Sequence, residues 1–203
     1  MISTIIFDFG DVFINLDKAG ALNHALELFG ISDFDESITD INATYEKGLI
    51  STDSFIDFYM DKFPFIPRQE LCRAWNNIIR DFPEYRLDFL RKLRAGKKYQ
   101  LMLLSNTNHM HIDYVKATVP FYKEFQTLFD QFYLSHLINL RKPDREIFEM
   151  VLYTNRLKPE ACLFIDDTPE NTRTAALLGM KTWTIDPEKE DIIDLFKKTD
   201  IWS

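Results

Sequence analysis

The sequence predicts an α/β fold, a doubly wound parallel sheet of the Rossmann-like type with a small α-helical cap inserted after the first strand. Three observations predict it. Short apolar runs recur along the chain, helix-period segments separate the later runs, and one long stretch near the amino terminus has helical periodicity without a convincing strand. A chain of 203 residues with 46% apolar residues is large enough to bury such a core.

The first strand is predicted over residues 2–7, an apolar run directly followed by polar residues. The stretch after it then changes character. Four helices are predicted there because apolar residues recur with the helical period between glycine and proline breaks. These helices span residues 19–29, 34–45, 52–63 and 68–80. We therefore expect residues 17–83 to form a helical cap.

Four later apolar runs are predicted as buried parallel strands, since each is short and ends in polar or turn-forming residues. They span residues 100–104, 132–134, 162–165 and 181–185. Between them, Ile147, Phe148, Val151 and Leu152 have the spacing of one apolar helix face that packs on a sheet. The alternation of strand and helix predicts an α/β core made of residues 1–16 and 84–203.

Composition limits the partners of this protein. With 32 acidic and 24 basic residues the chain has a formal charge of −8, which argues against a nucleic-acid groove or an anionic membrane surface and leaves a small phosphorylated substrate allowed. Cys72 and Cys162 are far apart and are expected to be reduced thiols rather than a disulfide. No stretch has the length of a membrane span, so we expect a cytoplasmic protein.

Chemically matching side chains follow several of the predicted strands. Asp8 comes directly after the first strand, at the carboxyl edge where ligands of open α/β sheets bind. Ser105 and Asn106 follow the second strand and offer a hydroxyl and backbone donors for phosphoryl oxygens. Taken singly, each of these residues also fits a turn or a helix cap. Their convergence on one edge makes a phosphoryl site the better interpretation.

The third and fourth strands add a cation and two carboxylates. Pro143 suits the first turn of a helix and leaves Lys142 just outside its amino terminus, where an anion would relieve the unfavourable dipole; a solvated surface lysine is the alternative. Asp166 and Asp167 are adjacent carboxylates that repel each other unless a cation joins them, and oxygen-rich ligation of this kind suits Mg²⁺. Helix capping accounts for Thr168 but does not require both aspartates.

The four segments, in this order, resemble the four motifs of the haloacid dehalogenase (HAD) superfamily of hydrolases. They are residues 7–12 (FDFGDV), 104–106 (LSN), 141–144 (RKPD) and 165–171 (IDDTPEN). The insertion after the first strand resembles the small cap of the members that act on small soluble substrates. The resemblance implies an aspartyl-phosphate intermediate on Asp8 that water later hydrolyses.

The same resemblance implies a role for each motif residue. Ser105, Asn106 and Lys142 bind the phosphoryl oxygens, and Lys142 also holds Asp8 and neutralises developing charge. Mg²⁺ is bound by the Asp8 carboxylate, the backbone carbonyl of Gly10 and Asp167, while Asp166 and Asn171 orient the outer shell.

Gly10 departs from the family pattern, because most phosphatases of the superfamily have a second aspartate there as the general acid and base. Loss of such a group typically costs a factor of about 10²–10⁴ in rate. Asp11, one residue further on, is a candidate to compensate, and a loop or capping role is the simpler interpretation. Some members that resemble phosphatases of sugar phosphates of the glucose-1-phosphate type also lack this aspartate.

Two functions follow from these residues. The first is a Mg²⁺-dependent phosphomonoesterase for a small phosphorylated metabolite, with a sugar phosphate as a candidate. The second is a catalytically weak or inactive regulatory domain that binds metal and phosphorylated ligand; a phosphosugar mutase fits less well, because that reaction needs the acid that Gly10 lacks.

Several cap residues are candidates to face the site or to pack elsewhere, namely Tyr45, Glu46, Lys47, Trp75 and Asn76, and His109 and His111 are candidates to line its entrance.

Overall fold

The computed structural model describes residues 1–198, and at its centre lies a sheet of five parallel strands in the order β3-β2-β1-β4-β5. The predicted parallel α/β fold is confirmed. The strands are β1 (Thr4–Phe7), β2 (Gln100–Ser105), β3 (Gln131–Leu134), β4 (Cys162–Asp166) and β5 (Lys181–Thr184). The central strand β1 pairs with β2 on one side and with β4 on the other, in a register that places Phe7 beside Leu103 and Ile165.

Ten α-helices surround or precede this sheet in the described part of the chain. They are α1 (Lys18–Phe29), α2 (Glu36–Glu46), α3 (Thr52–Lys62), α4 (Arg68–Asn76), α5 (Glu84–Ala95), α6 (His109–Thr118), α7 (Tyr122–Thr127), α8 (Ser135–Ile138), α9 (Arg145–Thr154) and α10 (Pro169–Leu177). Two 3₁₀ segments cover Pro159–Ala161 and Ile192–Lys197. Within residues 1–198, none of the helices has the length and apolar character needed to span a bilayer.

Helices cover both faces of the sheet, because neighbouring residues of a strand point to opposite sides. Ile5 and Phe7 of β1 belong to an apolar cluster with α5, α6 and α7, whereas Ile6 belongs to a second cluster with α9 and α10. In α9 the predicted apolar stripe faces the sheet: Ile147 and Phe148 are fully buried there. The core is therefore a three-layer α/β/α arrangement.

Helices α1–α4, which we call the helical insert, pack around an apolar cluster of their own. Its centre is aromatic, with the rings of Phe29 and Phe63 stacked at 4.5 Å and those of Tyr45 and Phe55 at 4.1 Å. Met110 of α6 also belongs to this cluster, so the insert is seated on the core by apolar contact. Cys72 in the insert and Cys162 in β4 are free thiols.

The helix predicted over residues 68–80 is too long. Helix α4 ends at Asn76, and the following residues run back along the segment that enters the insert. Ile79 forms an antiparallel bridge with Leu16, and the backbone N–H of Arg80 donates to the carbonyl of Asn15 at 2.9 Å. These long-range backbone hydrogen bonds take the place of the last helical turn. They also tie the two connections between insert and core together.

The placement of Pro143 in a first helical turn is likewise wrong. Helix α9 begins only at Arg145. Lys142 and Pro143 lie in the loop before it, and the peptide bond between them is cis. The reason is the side-chain amide of Asn106, which accepts from the backbone N–H of Lys142 and donates to its carbonyl, both at 2.8 Å. With both backbone groups bonded to Asn106, Lys142 is held against the loop that follows β2 and lies outside helix α9.

Candidate active site

Asp8 lies where the order of the strands reverses. The chain runs outward from β1 to β2 and β3 and then crosses to β4 and β5 on the other side, so the carboxyl end of β1 is the switch point where open α/β sheets bind ligands. The backbone N–H of Asp8 donates to the carbonyl of Ile165 at 2.8 Å, which extends the ladder by one residue. The Asp8 side chain is held at the sheet edge by this pairing.

Lys142 is buried between two carboxylates. Its Nζ lies 2.8 Å from Oδ1 of Asp8 and 2.6 Å from Oδ2 of Asp166, and its side chain is 1% exposed. Burial lowers the pKa of Lys142, but Asp166 and Asp8 outweigh that effect and hold the pKa above its usual value. The ammonium group therefore stays charged beside Asp8.

Asp166 has both oxygens engaged by the protein. Oδ1 accepts from the backbone N–H of Thr168 at 2.8 Å, Oδ2 accepts from Lys142, and the Asn171 amide donates to both oxygens at 3.0 Å. Asp166 is fully buried. Its hydrogen bonds leave it no free oxygen for a ligand, and they fix the position of the Lys142 ammonium.

Asp167 and Asp11 are joined by Lys18, a residue that the sequence analysis did not select. The Lys18 Nζ lies 2.5 Å from Oδ2 of Asp167 and 2.9 Å from Oδ2 of Asp11. Lys18 is the first residue of α1, where its charge is unfavourable for the helix dipole. That mismatch is the same signal that selected Lys142, and it was available in the sequence.

Three carboxylates come together at a place where the oxygens of Asp8 and Asp167 could hold a cation, with the fully engaged carboxylate of Asp166 beside them. Oxygen atoms of Asp8, Asp166 and Asp167 all lie within 4.8 Å of one another. Burial raises the pKa of Asp8 to about 7, although Lys142 opposes this, and burial also raises the pKa of Asp167. These buried carboxylates repel one another, and a divalent cation would offset that repulsion. Because carboxylate oxygens are hard donors, the group fits Mg²⁺.

The residues after β2 are divided between the cavity and the loop. Ser105 is 2% exposed and lines the cavity above Asp8. The Asn106 side chain, by contrast, is committed to the backbone of Lys142. The backbone N–H of Thr107 donates to the Ser135 hydroxyl at 2.9 Å. The Ser105 hydroxyl donates only a long hydrogen bond of 3.4 Å, to the carbonyl of Asn106, and is consequently the side-chain group of this motif that a ligand can most readily engage.

Gly10 lines the cavity, whereas Asp11 does not. Asp11 has φ 54, and its Oδ1 accepts from the backbone N–H of Leu16 at 2.9 Å while Oδ2 pairs with Lys18. Its carboxylate thus stabilises the loop after β1 and pairs with the first residue of α1. This geometry favours the loop role over compensation for the missing acid.

The cavity above Asp8 has a volume of about 260 Å³ and lies between the sheet edge and the helical insert. Its lining from the core includes Asp8, Ser105, Lys142 and Asp167. The insert contributes Glu46 from the end of α2 and Lys18 from the start of α1. A second cavity of about 210 Å³ lies further into the insert.

The structure shows which of the candidate cap and entrance residues line the two cavities. Glu46 and His111 line both cavities, and Trp75 lines the second. Tyr45 lines the second cavity too, but its hydroxyl is engaged by Thr52 at 2.7 Å and by the backbone N–H of Met110 at 3.2 Å. Elsewhere, Lys47 pairs with Asp144, Asn76 lines neither cavity, and His109 packs on His136 with ring centroids 4.4 Å apart.

A parallel sheet with carboxylates and a buried lysine at its switch point defines a Rossmann-like α/β enzyme. The model of the haloacid dehalogenase-like hydrolases matches residues 2–179, and the chain belongs to that family of hydrolases. The resemblance read from the four motifs is thereby confirmed.

Known proteins from Bacteroides thetaiotaomicron resemble nearly the whole chain. A D-ribitol-5-phosphate phosphatase is 30% identical over 192 residues, which cover 90% of this chain and 91% of that protein. The magnesium complex of a HAD family enzyme superimposes with a TM-score of 0.85 at 34% identity, covering 97% of this chain and 99% of that one. The wild-type HAD family enzyme with magnesium and inorganic phosphate gives a TM-score of 0.81 at 32% identity, with 97% and 100% covered.

Proposed function

We propose that the protein is a Mg²⁺-dependent phosphomonoesterase that hydrolyses a small sugar phosphate or polyol phosphate through an aspartyl-phosphate on Asp8. One observation carries the proposal: the Asp8 carboxylate lies on the cavity floor, 2.8 Å from a buried lysine and within 4.8 Å of the oxygens of two further aspartates. The phosphatase and the magnesium- and phosphate-bound enzyme that resemble this chain support the same chemistry.

In this proposal Asp8 attacks phosphorus and the ester P–O bond breaks, so that the leaving group departs as an alcohol after taking a proton from water. Water then attacks the phosphorus of the aspartyl-phosphate, which releases inorganic phosphate and returns the Asp8 carboxylate. Lys142 holds Asp8 in place and stabilises charge on the phosphoryl oxygens, and the Ser105 hydroxyl donates to one of them. The Asn106 side chain acts through Lys142, and backbone groups of this segment complete the phosphate site.

The metal would be held by the Asp8 carboxylate, the backbone carbonyl of Gly10 and Asp167. Asp166 and Asn171 would position the surrounding groups, in keeping with the fully engaged carboxylate of Asp166. When bound, Mg²⁺ supplies positive charge that neutralises the phosphate and orients it for in-line attack.

The proposal also assigns the larger parts of the chain. Residues 17–83 act as a cap that encloses the leaving group, and residues 1–16 and 84–203 form the core that carries the phosphoryl chemistry, with residues 199–203 of that range lying outside the described part of the chain. A small phosphorylated molecule is the partner, with no nucleic acid and no membrane involved, because the chain has a net charge of −8. The free thiols Cys72 and Cys162 support a reducing compartment such as the cytoplasm.

The mechanism is tested with an aryl phosphate, whose leaving group needs no acid. We expect phosphate release that requires Mg²⁺, stops on chelation, and falls by about 10³-fold or more in Asp8→Asn. Asp53→Asn is the matched control, because it makes the same change at an exposed position of the insert. Undiminished activity in Asp8→Asn would exclude Asp8 as the nucleophile.

A second function is favoured by Gly10, which removes the usual acid and base from the cavity wall. In that case the protein binds phosphate esters and metal in a regulatory role and turns them over weakly or not at all. A panel of phosphorylated metabolites separates the two functions. Metal-dependent binding by calorimetry without phosphate release from any ester would favour the regulatory domain, whereas release from one class of ester would favour the phosphatase.

A further inference from the structure

The second cavity adjoins the phosphoryl site. It is bordered by the helical insert and shares Lys18, Glu46, Ile78 and His111 with the cavity above Asp8. A phosphate ester bound at Asp8 would therefore have its leaving group directed toward these shared residues. The polar atoms that remain unengaged along this path decide which leaving groups fit.

Glu46 presents one free carboxylate oxygen to this path. Both contacts from Arg141, Nε at 3.0 Å and Nη2 at 2.9 Å, fall on Oε2. Across residues 1–198, Oε1 of Glu46 receives no hydrogen bond. The guanidinium thus fixes the carboxylate in one orientation, and the second oxygen is left as a hydrogen-bond acceptor where the two cavities meet.

Asn42 presents a donor one helical turn earlier on α2. Its Oδ1 accepts from the Tyr59 hydroxyl at 2.7 Å, which orients the amide. No acceptor for its Nδ2 occurs in the part of the chain that the structure describes, and Asn42 lines the second cavity. Residues four apart share a helix face, so the Asn42 donor and the Glu46 acceptor are separated by about 6 Å along the helix axis.

The other polar side chains that α6 and the end of α2 contribute to the second cavity are already satisfied. Nε2 of His111 bonds the carbonyl of Trp75 at 3.0 Å, and its Nδ1 faces the Asn108 amide at 3.3 Å. Asn108 also accepts from the backbone N–H of His111 at 2.9 Å. These groups hold α6 against α4 and have little capacity left for a ligand. Apart from Nε1 of Trp75, a buried donor without a partner among residues 1–198, the unengaged polar side-chain atoms found along this path belong to Glu46 and Asn42.

We propose that Glu46 and Asn42 are specificity-determining residues that select a polyhydroxylated leaving group. Oε1 of Glu46 accepts a hydrogen bond from a hydroxyl near the phosphoryl end, and Nδ2 of Asn42 donates to a hydroxyl oxygen further along the carbon chain. The inference rests on the proposed phosphatase function and adds the residues that read its substrate. The carboxylate also disfavours leaving groups that carry a second phosphate or a carboxylate, because like charges would meet inside the cavity.

The energetic reason is the cost of unpaired polar atoms. A hydroxylated chain satisfies both groups, whereas an aryl leaving group desolvates them without replacing the hydrogen bonds. A site built to hydrogen-bond a hydroxyl discriminates strongly against an analogue that lacks it. The wild-type protein should accordingly prefer a pentitol 5-phosphate over p-nitrophenyl phosphate in KM.

The test exchanges the free acceptor of Glu46 for a donor, and the free donor of Asn42 for an acceptor, while each side chain keeps its hydrogen bond to the protein. In Glu46→Gln the amide oxygen still accepts from Arg141 and an NH₂ replaces the free oxygen. In Asn42→Asp one oxygen still accepts from Tyr59 and the other replaces the NH₂. We expect each variant to lower kcat/KM for a pentitol 5-phosphate by about 10- to 100-fold, mainly through KM, with less than about a threefold change for p-nitrophenyl phosphate.

Lys47→Gln is the matched control, because Lys47 follows Glu46 directly, forms a 2.9 Å ion pair with Asp144 and lines neither cavity. It should leave the ratio of the two substrates unchanged. Equal losses on both substrates in Glu46→Gln would overturn the proposal, since they would indicate a role in chemistry or in seating the insert. Unchanged values on both would overturn it as well.

Failure of the underlying function gives a different result. If the wild-type protein with Mg²⁺ releases no phosphate from either ester, the phosphatase proposal fails. Calorimetry of pentitol 5-phosphate against inorganic phosphate then still tests the residue pair. Tighter binding of the pentitol ester that is lost in Glu46→Gln supports the subsite, and equal binding of both ligands overturns it.

Discussion

At the scale of single residues, Gly10 marks the main departure of this site from its family. A Cβ built on Gly10 would lie 2.6 Å from Cδ1 of Leu16, so the space that an acid would occupy is filled by an apolar side chain. Leu16 is in turn paired with Ile79 across the two connections to the insert. The missing acid is therefore a feature of the loop's packing as well as of its sequence.

Gly10→Asp should restore protonation of poor leaving groups. The clash falls on the end of a flexible side chain, so Leu16 can rotate away and the variant should fold. We expect the activity ratio of an alkyl phosphate to an aryl phosphate to rise by about 10-fold or more, because only the alkoxide needs a proton. Steady-state kinetics on the two esters measures this ratio.

Gly10→Ala is the control for that experiment, since it adds the same Cβ without a carboxylate. An equal ratio in Gly10→Ala and Gly10→Asp would contradict the missing-acid account. The missing-acid account is supported if both variants have a lower overall rate but only Gly10→Asp has a higher ratio of alkyl to aryl phosphate activity. The loss of rate common to both variants then measures the effect of displacing Leu16.

The residues of the candidate site differ in how far the sequence predicts them. Asp8 and Asp166 meet because parallel strands end at one edge, and strand ends can be read from apolar runs. Lys142 reaches them from the loop between α8 and α9. Glu46 reaches the same cavity from the insert, whose orientation depends on contacts with the core. The engagement of Asn106 with the Lys142 backbone is also invisible in the sequence, because an amide offers the same atoms to a loop as to a ligand.

At the scale of elements, His111 joins a core helix to a helix of the insert. It lies on α6 and bonds the backbone carbonyl of Trp75 near the end of α4. Burial lowers the pKa of His111 to about 4. Since the ordinary pKa is about 6.5, the unfolded chain binds this proton at a higher pH than the folded protein does.

Stability should fall as pH decreases from about 6.5 to 4, and His111 should contribute on the order of 2–3 kcal/mol of that loss. The comparison is made with His111→Gln by denaturant unfolding at several pH values. The wild-type protein should be the more stable of the two at neutral pH, and its advantage should shrink toward pH 4.

His136 is also buried, and burial together with His109 lowers its pKa to about 4. The wild-type protein and His111→Gln both keep the pH dependence of stability that His136 causes. Only the difference in stability between these two proteins therefore measures the contribution of His111. His24→Gln, the same substitution at an exposed position of α1, is the matched control for the change of residue type. A gap between wild type and His111→Gln that stays constant from pH 7 to pH 4 would contradict the assignment.

Elements that depend on local sequence patterns are predicted correctly from the sequence, and element ends that depend on contacts with distant residues are not. The five strands were predicted from apolar runs because the neighbours of a buried parallel strand impose no residue beyond apolar character. Helix α4 was predicted four residues too long, because nothing in residues 77–80 signals their pairing with the segment entering the insert. The start of α9 was misplaced for the same physical reason.

At the scale of the whole molecule, the insert is seated on the core at several points around the cavity. Glu46 pairs with Arg141, Lys47 pairs with Asp144, and the Asn139 amide donates to the carbonyl of Lys47 at 2.8 Å. Gly48 lies between these contacts and α8. A Cβ there would lie 2.0 Å from the backbone carbonyl oxygen of His136, so the insert and α8 approach each other at this point as only glycine permits.

Gly48→Ala should lift the end of α2 off the core and lower phosphatase activity, because Glu46 and the cavity roof move with it. The matched control is Gly30→Ala. Both glycines have φ +66, so both substitutions carry the same backbone strain, on the order of 1 kcal/mol, but nothing lies within 4 Å of a Cβ at Gly30. Only the Gly48 substitution adds the collision with backbone.

We expect Gly30→Ala to lose stability with kcat/KM near the wild-type value. Gly48→Ala should lose a similar or larger amount of stability and at least about 10-fold in kcat/KM, since small displacements of a site are costly to catalysis. Limited proteolysis should cut faster near residues 47–50 in Gly48→Ala alone. Equal kinetics in the two variants would mean that the seating of the insert on α8 does not control the active cavity.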